Sequence, residues 1–99
     1  MMTDEEYMQF HDDRYNELPQ TIKDKAIETL KSNINNIGRN QIRMAIRADR
    51  INWGSPHHFS WGMGIRNLLR KNVCLDGDLP SGNWDDYYIM LVEKAVEEE

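Results

Sequence analysis

Residues 19–38, Pro-Gln-Thr-Ile-Lys-Asp-Lys-Ala-Ile-Glu-Thr-Leu-Lys-Ser-Asn-Ile-Asn-Asn-Ile-Gly, carry the clearest folding signal in this chain. Apolar residues recur there at spacings of three to four, which is the period of one face of an α-helix. Pro19 is tolerated in a first helical turn, and Gly38 is a favourable stop because glycine adopts the left-handed conformation without steric cost. The spacing predicts a helix from about Pro19 to Asn36. Its predicted inner face comprises Ile22, Ala26, Ile27, Leu30, Ile34 and Ile37.

Four more helices are predicted from the same spacing, and no segment shows the sustained period of two that is typical of strands. They are predicted after a cap at Thr3, from about Asn40 to Arg50, from about Trp61 or Met63 to Lys71, and from near Trp84 after a cap at Asn83. Their predicted inner faces are Tyr7, Phe10, His11, Tyr15 and Leu18; Ile42, Ala45 and Ile46, with Met44 as a further candidate; Ile65, Leu68 and Leu69; and Trp84, Tyr88, Leu91, Val92 and Ala95. The chain is therefore expected to be an all-α domain of about five short helices.

Length and composition favour one compact domain over residues 1–99, with frayed ends at 1–2 and 97–99. At 99 residues and 39% hydrophobic content, the chain is too short to build a second core. No apolar run approaches the roughly 18 residues that span a bilayer, and the acidic first residues differ from a signal peptide, so we expect a cytoplasmic protein. Cys74 is the single cysteine, which excludes an intramolecular disulfide and favours a reduced, buried thiol.

The charges are segregated along the chain, whose net charge is −5. Residues 1–37 carry eight acids and four bases, residues 38–71 carry seven bases and one acid, and residues 72–99 carry eight acids and one base. The basic centre comprises Arg39, Arg43, Arg47, Arg50, Arg66, Arg70 and Lys71. The first four of these are expected to share one face of the third helix. Either the basic centre forms ion pairs with the acidic ends, or it forms a binding surface for a phosphate, a nucleotide or an acidic partner.

Residues 57–70 gather the side chains that most resemble a binding site. These are His57, His58, Trp61, Gly62, Gly64, Arg66 and Asn67. The two glycines each cost about 1 kcal/mol in a helix relative to alanine. We expect close packing to compensate for them, and the alternative is access of an anion to backbone amides beside Arg66. The histidines match no zinc spacing, and no nucleophile with its base can be assembled from the sequence, so no metal, cofactor or catalytic residue is predicted.

The segment from His58 to Asn67 resembles the H-F-x-x-G-x-x-I-R-N core of a small bacterial and phage-associated family of helical domains of unknown function. The resemblance rests on His58, Phe59, Gly62, Ile65, Arg66 and Asn67. It implies a helical domain of this size and the importance of His58, Gly62, Arg66 and Asn67. It implies no reaction.

The sequence favours an interaction module that binds a protein partner through the basic centre, from Arg39 to Lys71. The alternative is a pocket that binds a nucleotide or another small anion at residues 57–67. Nucleic acid is disfavoured by the isoelectric point near 5.1, because the acidic ends repel a polyanion. An enzyme is the weakest interpretation. The surroundings of Arg66 distinguish the interaction module from the anion pocket. In the first case Arg66 faces Asp85 and Asp86, and in the second it lines an open pocket.

Overall fold

A computed structural model describes residues 2–54, 61–80 and 82–97 of the chain. These ranges contain five α-helices and one short 3-10 turn at Asp76–Asp78, and they contain no strand. The helices are α1 (Asp4–Glu17), α2 (Gln20–Asn33), α3 (Asn36–Ala48), α4 (Trp61–Asn72) and α5 (Trp84–Glu97). The prediction of an all-α fold is confirmed. None of the described helices has the length and apolar character needed to cross a membrane.

The start of α1 follows the sequence prediction closely. The Thr3 hydroxyl accepts a hydrogen bond from the Glu6 N–H at 3.1 Å, and the Thr3 N–H donates to the Glu6 carboxylate at 3.2 Å. This reciprocal pair is a capping box, which satisfies backbone donors that a helix start leaves unpaired. The acids of the first turn also lie at the positive end of the helix dipole. Thr3 therefore fixes where α1 begins.

The boundary between α2 and α3 corrects the prediction from residues 19–38. Helix α2 ends at Asn33, and α3 begins at Asn36 rather than at Asn40. The Asn35 side chain accepts a hydrogen bond from the Gly38 N–H at 2.8 Å and caps α3. The predicted stop at Gly38 is therefore wrong, because the preference of asparagine for a helix cap outweighs the preference of glycine for a helix end.

Two predicted core positions, Ile37 and Met44, lie on the outer side of α3. They are 70% and 68% exposed, whereas Ile42 is buried. At 3.6 residues per turn, Ile37 and Met44 point roughly 140–160° away from Ile42. The prediction that they belong to inner faces is therefore wrong: Ile37 belongs to α3 and not to α2, and Met44 lies opposite Ile42 in any helix that contains both.

The core is built around α5, which packs against each of the other four helices. Ten of its residues are buried, so this helix is covered on nearly all sides. Asn83 caps it as predicted, since its side chain accepts from the Asp85 N–H at 2.9 Å. Trp84 is fully buried in the first turn, where its indole Nε1 donates to the Cys74 carbonyl at 2.9 Å. This bond ties the connection between α4 and α5 to the core.

His11 is a buried polar residue of α1 that faces α5. Its ring centroid lies 4.5 Å from that of Tyr7 and 5.4 Å from that of Phe10, in edge-on geometry. Burial lowers the pKa of His11, while a hydrogen bond with the Asp86 backbone and the charges of Asp86 and Asp12 partly oppose this. Within the fold, burial therefore favours the neutral imidazole over the charged one.

We expect His11 to make the protein less stable below neutral pH. As the pH falls, His11 of the unfolded chain binds a proton near its ordinary pKa of 6.5, whereas His11 of the folded chain does so only at its lower pKa. Between these two pKa values the proton stabilises the unfolded chain, so the free energy of unfolding falls with pH in this range and levels off below the folded pKa. Unfolding free energies at pH 7.5 and 5.5 (about one unit either side) should differ more for the wild type than for His11→Gln. An equal loss in both proteins would contradict this role.

Candidate functional site

Arg66 lies inside the fold, where it joins α4 to the start of α5. Only 4% of this residue is exposed. Its Nε lies 3.0 Å from Asp85 Oδ1, and its guanidinium carbon lies 5.2 Å from the centroid of the Tyr88 ring. Arg66 thus faces Asp85, which answers the question that the sequence left open. Its position is that of a structural ion pair stacked on an aromatic ring.

Arg70 forms a second link one helical turn further along α4. Its Nε and Nη2 donate to the two carboxylate oxygens of Asp76 at 2.8 and 3.3 Å, which is a bidentate arrangement. Its Nη1 donates to Asn67 Oδ1 at 2.9 Å, and its Nη2 lies 3.8 Å from Asp85 Oδ1. The hydrogen bond with Asp76 raises the pKa of Arg70. Asn67 therefore helps to orient Arg70 toward the 3-10 turn.

Arg43 and Arg50 of the predicted basic face both contact α5. Arg43 Nε donates to the Val96 carbonyl at 2.6 Å, near the end of that helix. Arg50 Nε donates to Glu93 Oε1 at 3.1 Å. Burial raises the pKa of Glu93, and the hydrogen bond from Arg50 acts in the opposite direction by favouring the charged carboxylate. Both arginines therefore contact α5, and the Arg50 side chain is at the same time 55% exposed.

The remaining basic residues differ in exposure. Arg47 and Lys71 are exposed, and Arg39 is half-buried. Among the three arginines of α3, Arg47 is therefore the one that faces solvent. Arg39, Arg43 and Arg47 lie within an arc of about 80° around the α3 axis, which agrees with the prediction of one shared face. The arc runs from the half-buried Arg39 and Arg43 to the exposed Arg47, and Arg50 follows the end of α3.

The structure describes only part of the segment 57–70, which the sequence marks as the candidate binding site. His57 and His58 lie outside the described residues. Trp61 is half-buried and Gly62 is buried at the start of α4. Gly64 is exposed, and a Cβ built on it would meet nothing within 4 Å. Close packing, the explanation expected from the sequence, therefore does not account for Gly64.

Replacing Gly64 with alanine is expected to stabilise the protein. The position is helical, its φ is not positive and it has open space for a methyl group. Alanine should raise the free energy of unfolding by about 0.5–1 kcal/mol, because it restricts the unfolded chain more than glycine does. Urea denaturation followed by circular dichroism measures this change. A lower midpoint for Gly64→Ala would contradict it.

An apolar hollow of about 270 Å³ lies beside α3. The described residues that line it are Gly38, Gln41, Ile42, Ala45, Trp53 and Trp61. The two tryptophan rings meet edge-on, with centroids 6.2 Å apart. Trp53 is 5% exposed, and its indole Nε1 has no hydrogen-bond acceptor among the described residues. The volume lies just below the roughly 300–1,000 Å³ of ligand pockets, so the hollow suits one large side chain better than a nucleotide.

An exposed stripe runs along α3 next to this hollow. Ile37, Gln41, Met44 and Ala48 are all exposed, and their spacing of four, three and four places them on one side of the helix. We call this stripe, together with Arg47, the α3 face. Gln41 belongs both to the stripe and to the wall of the hollow. The α3 face and the hollow therefore form one continuous surface.

Sequence reasoning missed the α3 face because it placed Ile37 and Met44 in the core. For Ile37 the signal that could have revealed it is Asn35, three residues before Gly38 and able to cap a helix there. For Met44 the signal is its spacing of two from Ile42, which places the two side chains about 160° apart around a helix. The α3 face is thus encoded by a cap and by apolar spacing together.

The described residues give little support to nucleophilic chemistry at Cys74 or to a metal site. Cys74 is half-buried, and burial, followed by the charges of Asp78 and Asp76, raises the pKa of its thiol. A raised pKa reduces the thiolate fraction that nucleophilic chemistry requires. Within the described ranges, no three His, Cys, Asp or Glu side chains converge on a point that could hold a metal ion.

Comparison with known proteins gives no relative: no family model, no curated protein and no solved structure matches this chain. Membership of the helical family suggested by the segment from His58 to Asn67 stays a prediction. Functional inference therefore depends on the surface and its chemistry.

Proposed function

We propose that the protein is an interaction module that binds a protein partner through the α3 face. The observation that carries this proposal is the exposure of Ile37 and Met44, at 70% and 68%, on a helix whose charged side chains are all arginines. Exposed apolar residues that are grouped and bordered by polar ones are typical of protein-binding surfaces. The sequence predicts a binding surface that extends over the basic centre, from Arg39 to Lys71, and this proposal narrows that surface to one helix.

A protein partner fits the surface better than a small anion does. Arg66 and Arg70 hold Asp85 and Asp76, so their charge is already matched within the fold. The hollow beside α3 has apolar walls, apart from Gln41. An anion needs convergent donors, whereas an apolar side chain gains about 25 cal/mol for each Å² that it buries. The anion pocket at residues 57–67 stays the alternative.

A protein partner also fits better than nucleic acid. Binding to nucleic acid requires several cations that track successive phosphates. Arg43 and Arg50 donate to α5, and the centre of the α3 face is apolar. The acidic composition, with an isoelectric point near 5.1, would repel a long polyanion.

The proposal is tested by a pair of matched variants used as bait in the native cell. Ile37→Asp with Met44→Asp places two charges on the α3 face, while Leu75→Asp changes a side chain of similar exposure, 67%, after α4. Exposed substitutions of this kind change stability by about 0.5 kcal/mol or less each, so all three proteins should fold. Quantitative mass spectrometry of the captured proteins then compares the baits.

We expect at least one protein to be captured by the wild type and by Leu75→Asp, and to be lost from the double variant. Capture that is equal for all three baits would contradict the proposal. If the captured protein is lost only from the Leu75→Asp bait, the binding surface does not lie on the α3 face. Circular dichroism of each variant ensures that the comparison concerns folded proteins.

A further inference from the structure

We infer that the partner presents an amphipathic helix with an acidic flank, which packs along the α3 face and inserts one bulky apolar side chain into the hollow. This inference rests on the proposed function and adds the chemistry of the bound segment. Three features of the surface support it: its helical period, its charge and the shape of the hollow.

The period of the α3 face matches that of a helix lying beside it. Ile37, Gln41, Met44 and Ala48 present a narrow stripe that rises about 16 Å along α3, at 1.5 Å per residue. Two helices pack by interlocking such rows of side chains. An incoming helix with apolar residues at i, i+4 and i+7 would cover the stripe, as in other helix-in-groove complexes.

The charge of α3 selects an acidic partner over a second copy of this chain. Residues 36–48 contain three arginines and no acid, and Arg47 is exposed beside the stripe. A symmetric pairing of two α3 helices would bring these like charges together, which is unfavourable. Asp or Glu residues on the flank of an incoming helix would instead complement Arg47.

The hollow provides an anchoring point beside the stripe. Its volume of about 270 Å³ and its tryptophan walls suit a single large apolar side chain. The hollow therefore favours one bulky apolar anchor.

The test is a selection on the full-length protein with displayed peptides about 16 residues long, roughly the span of the stripe plus one turn, drawn from a library with equal acidic and basic content. We expect the selected peptides to be acidic, with apolar residues at helical spacing and one bulky side chain. Met44→Asp should weaken their binding about tenfold and Arg47→Glu about fivefold, while Leu75→Asp should leave it unchanged. Raised salt should also weaken binding.

Three results would overturn the inference: the selected peptides are neutral or basic, their binding is unchanged by Met44→Asp, or the selection yields no binding peptide. Sedimentation of the protein alone provides a further check, because a dimer broken by Met44→Asp would replace the acidic helix with a second copy. The capture experiment separates the two proposals. If capture depends on the α3 face and the peptide result fails, a protein partner of different chemistry binds there.

Discussion

Trp84→Ala is expected to lower the free energy of unfolding by about 3–5 kcal/mol, as is typical when a buried large aromatic side chain is replaced by alanine. The side chain is fully buried, its ring centroid lies 6.4 Å from that of Tyr87, and its indole donates to the Cys74 carbonyl. Alanine would leave a cavity beneath α5 and a carbonyl without its donor. Total stabilities of small domains are about 5–15 kcal/mol, so this change would remove a large share of the free energy of unfolding.

Chemical denaturation at neutral pH measures this loss, and Trp84→Phe serves as the control. Phenylalanine keeps most of the ring packing but removes the donor, so its cost should be about 1–3 kcal/mol. A cost below 1 kcal/mol for Trp84→Ala would mean that α5 is not anchored at its first turn.

Arg66→Ala is expected to cost about 2–4 kcal/mol, because it removes a buried guanidinium from Asp85 and from the face of Tyr88. We place the effect below that of a fully buried pair, since the Asp85 side chain is 44% exposed and water can solvate it. Arg66→Met, which keeps the packing of the aliphatic stem, should cost less than Arg66→Ala. Asp85→Ala should cost least.

This order separates a structural role of Arg66 from a binding role. Denaturation midpoints of the three variants provide the measurement. If Arg66→Ala were as stable as the wild type and lost only binding, the arginine would belong to a ligand site, as the alternative interpretation of residues 57–67 holds.

The helices themselves could largely be predicted from the sequence. Thr3 and Asn83 cap α1 and α5 as expected, because both caps depend on contacts within a few residues. The break between α2 and α3 was harder to predict. Asn35 and Gly38 favour opposite outcomes at one point of the chain, and the outcome is set by the Asn35 side chain, which caps α3 by accepting from the Gly38 N–H.

The candidate site was harder to predict than the fold. Charge counts located the basic centre but could not separate arginines that hold α5 from those that face outward. Arg66 and Asp85 lie far apart in the chain and meet only through the packing of α4 against α5. The exposure of Ile37 follows from the boundary at Asn35, and that of Met44 follows from its spacing of two residues from the buried Ile42. A misplaced boundary and a misread spacing together concealed the surface.

The most direct test of the central claim is photo-crosslinking in the native cell from a benzoylphenylalanine placed at Met44, compared with the same group at Leu75. Both positions are similarly exposed, so accessibility alone does not distinguish them. If a partner binds the α3 face, position 44 gives one defined covalent adduct of higher mass and position 75 gives none. An adduct from position 75 alone, or the same adducts from both positions, would contradict a binding surface on α3.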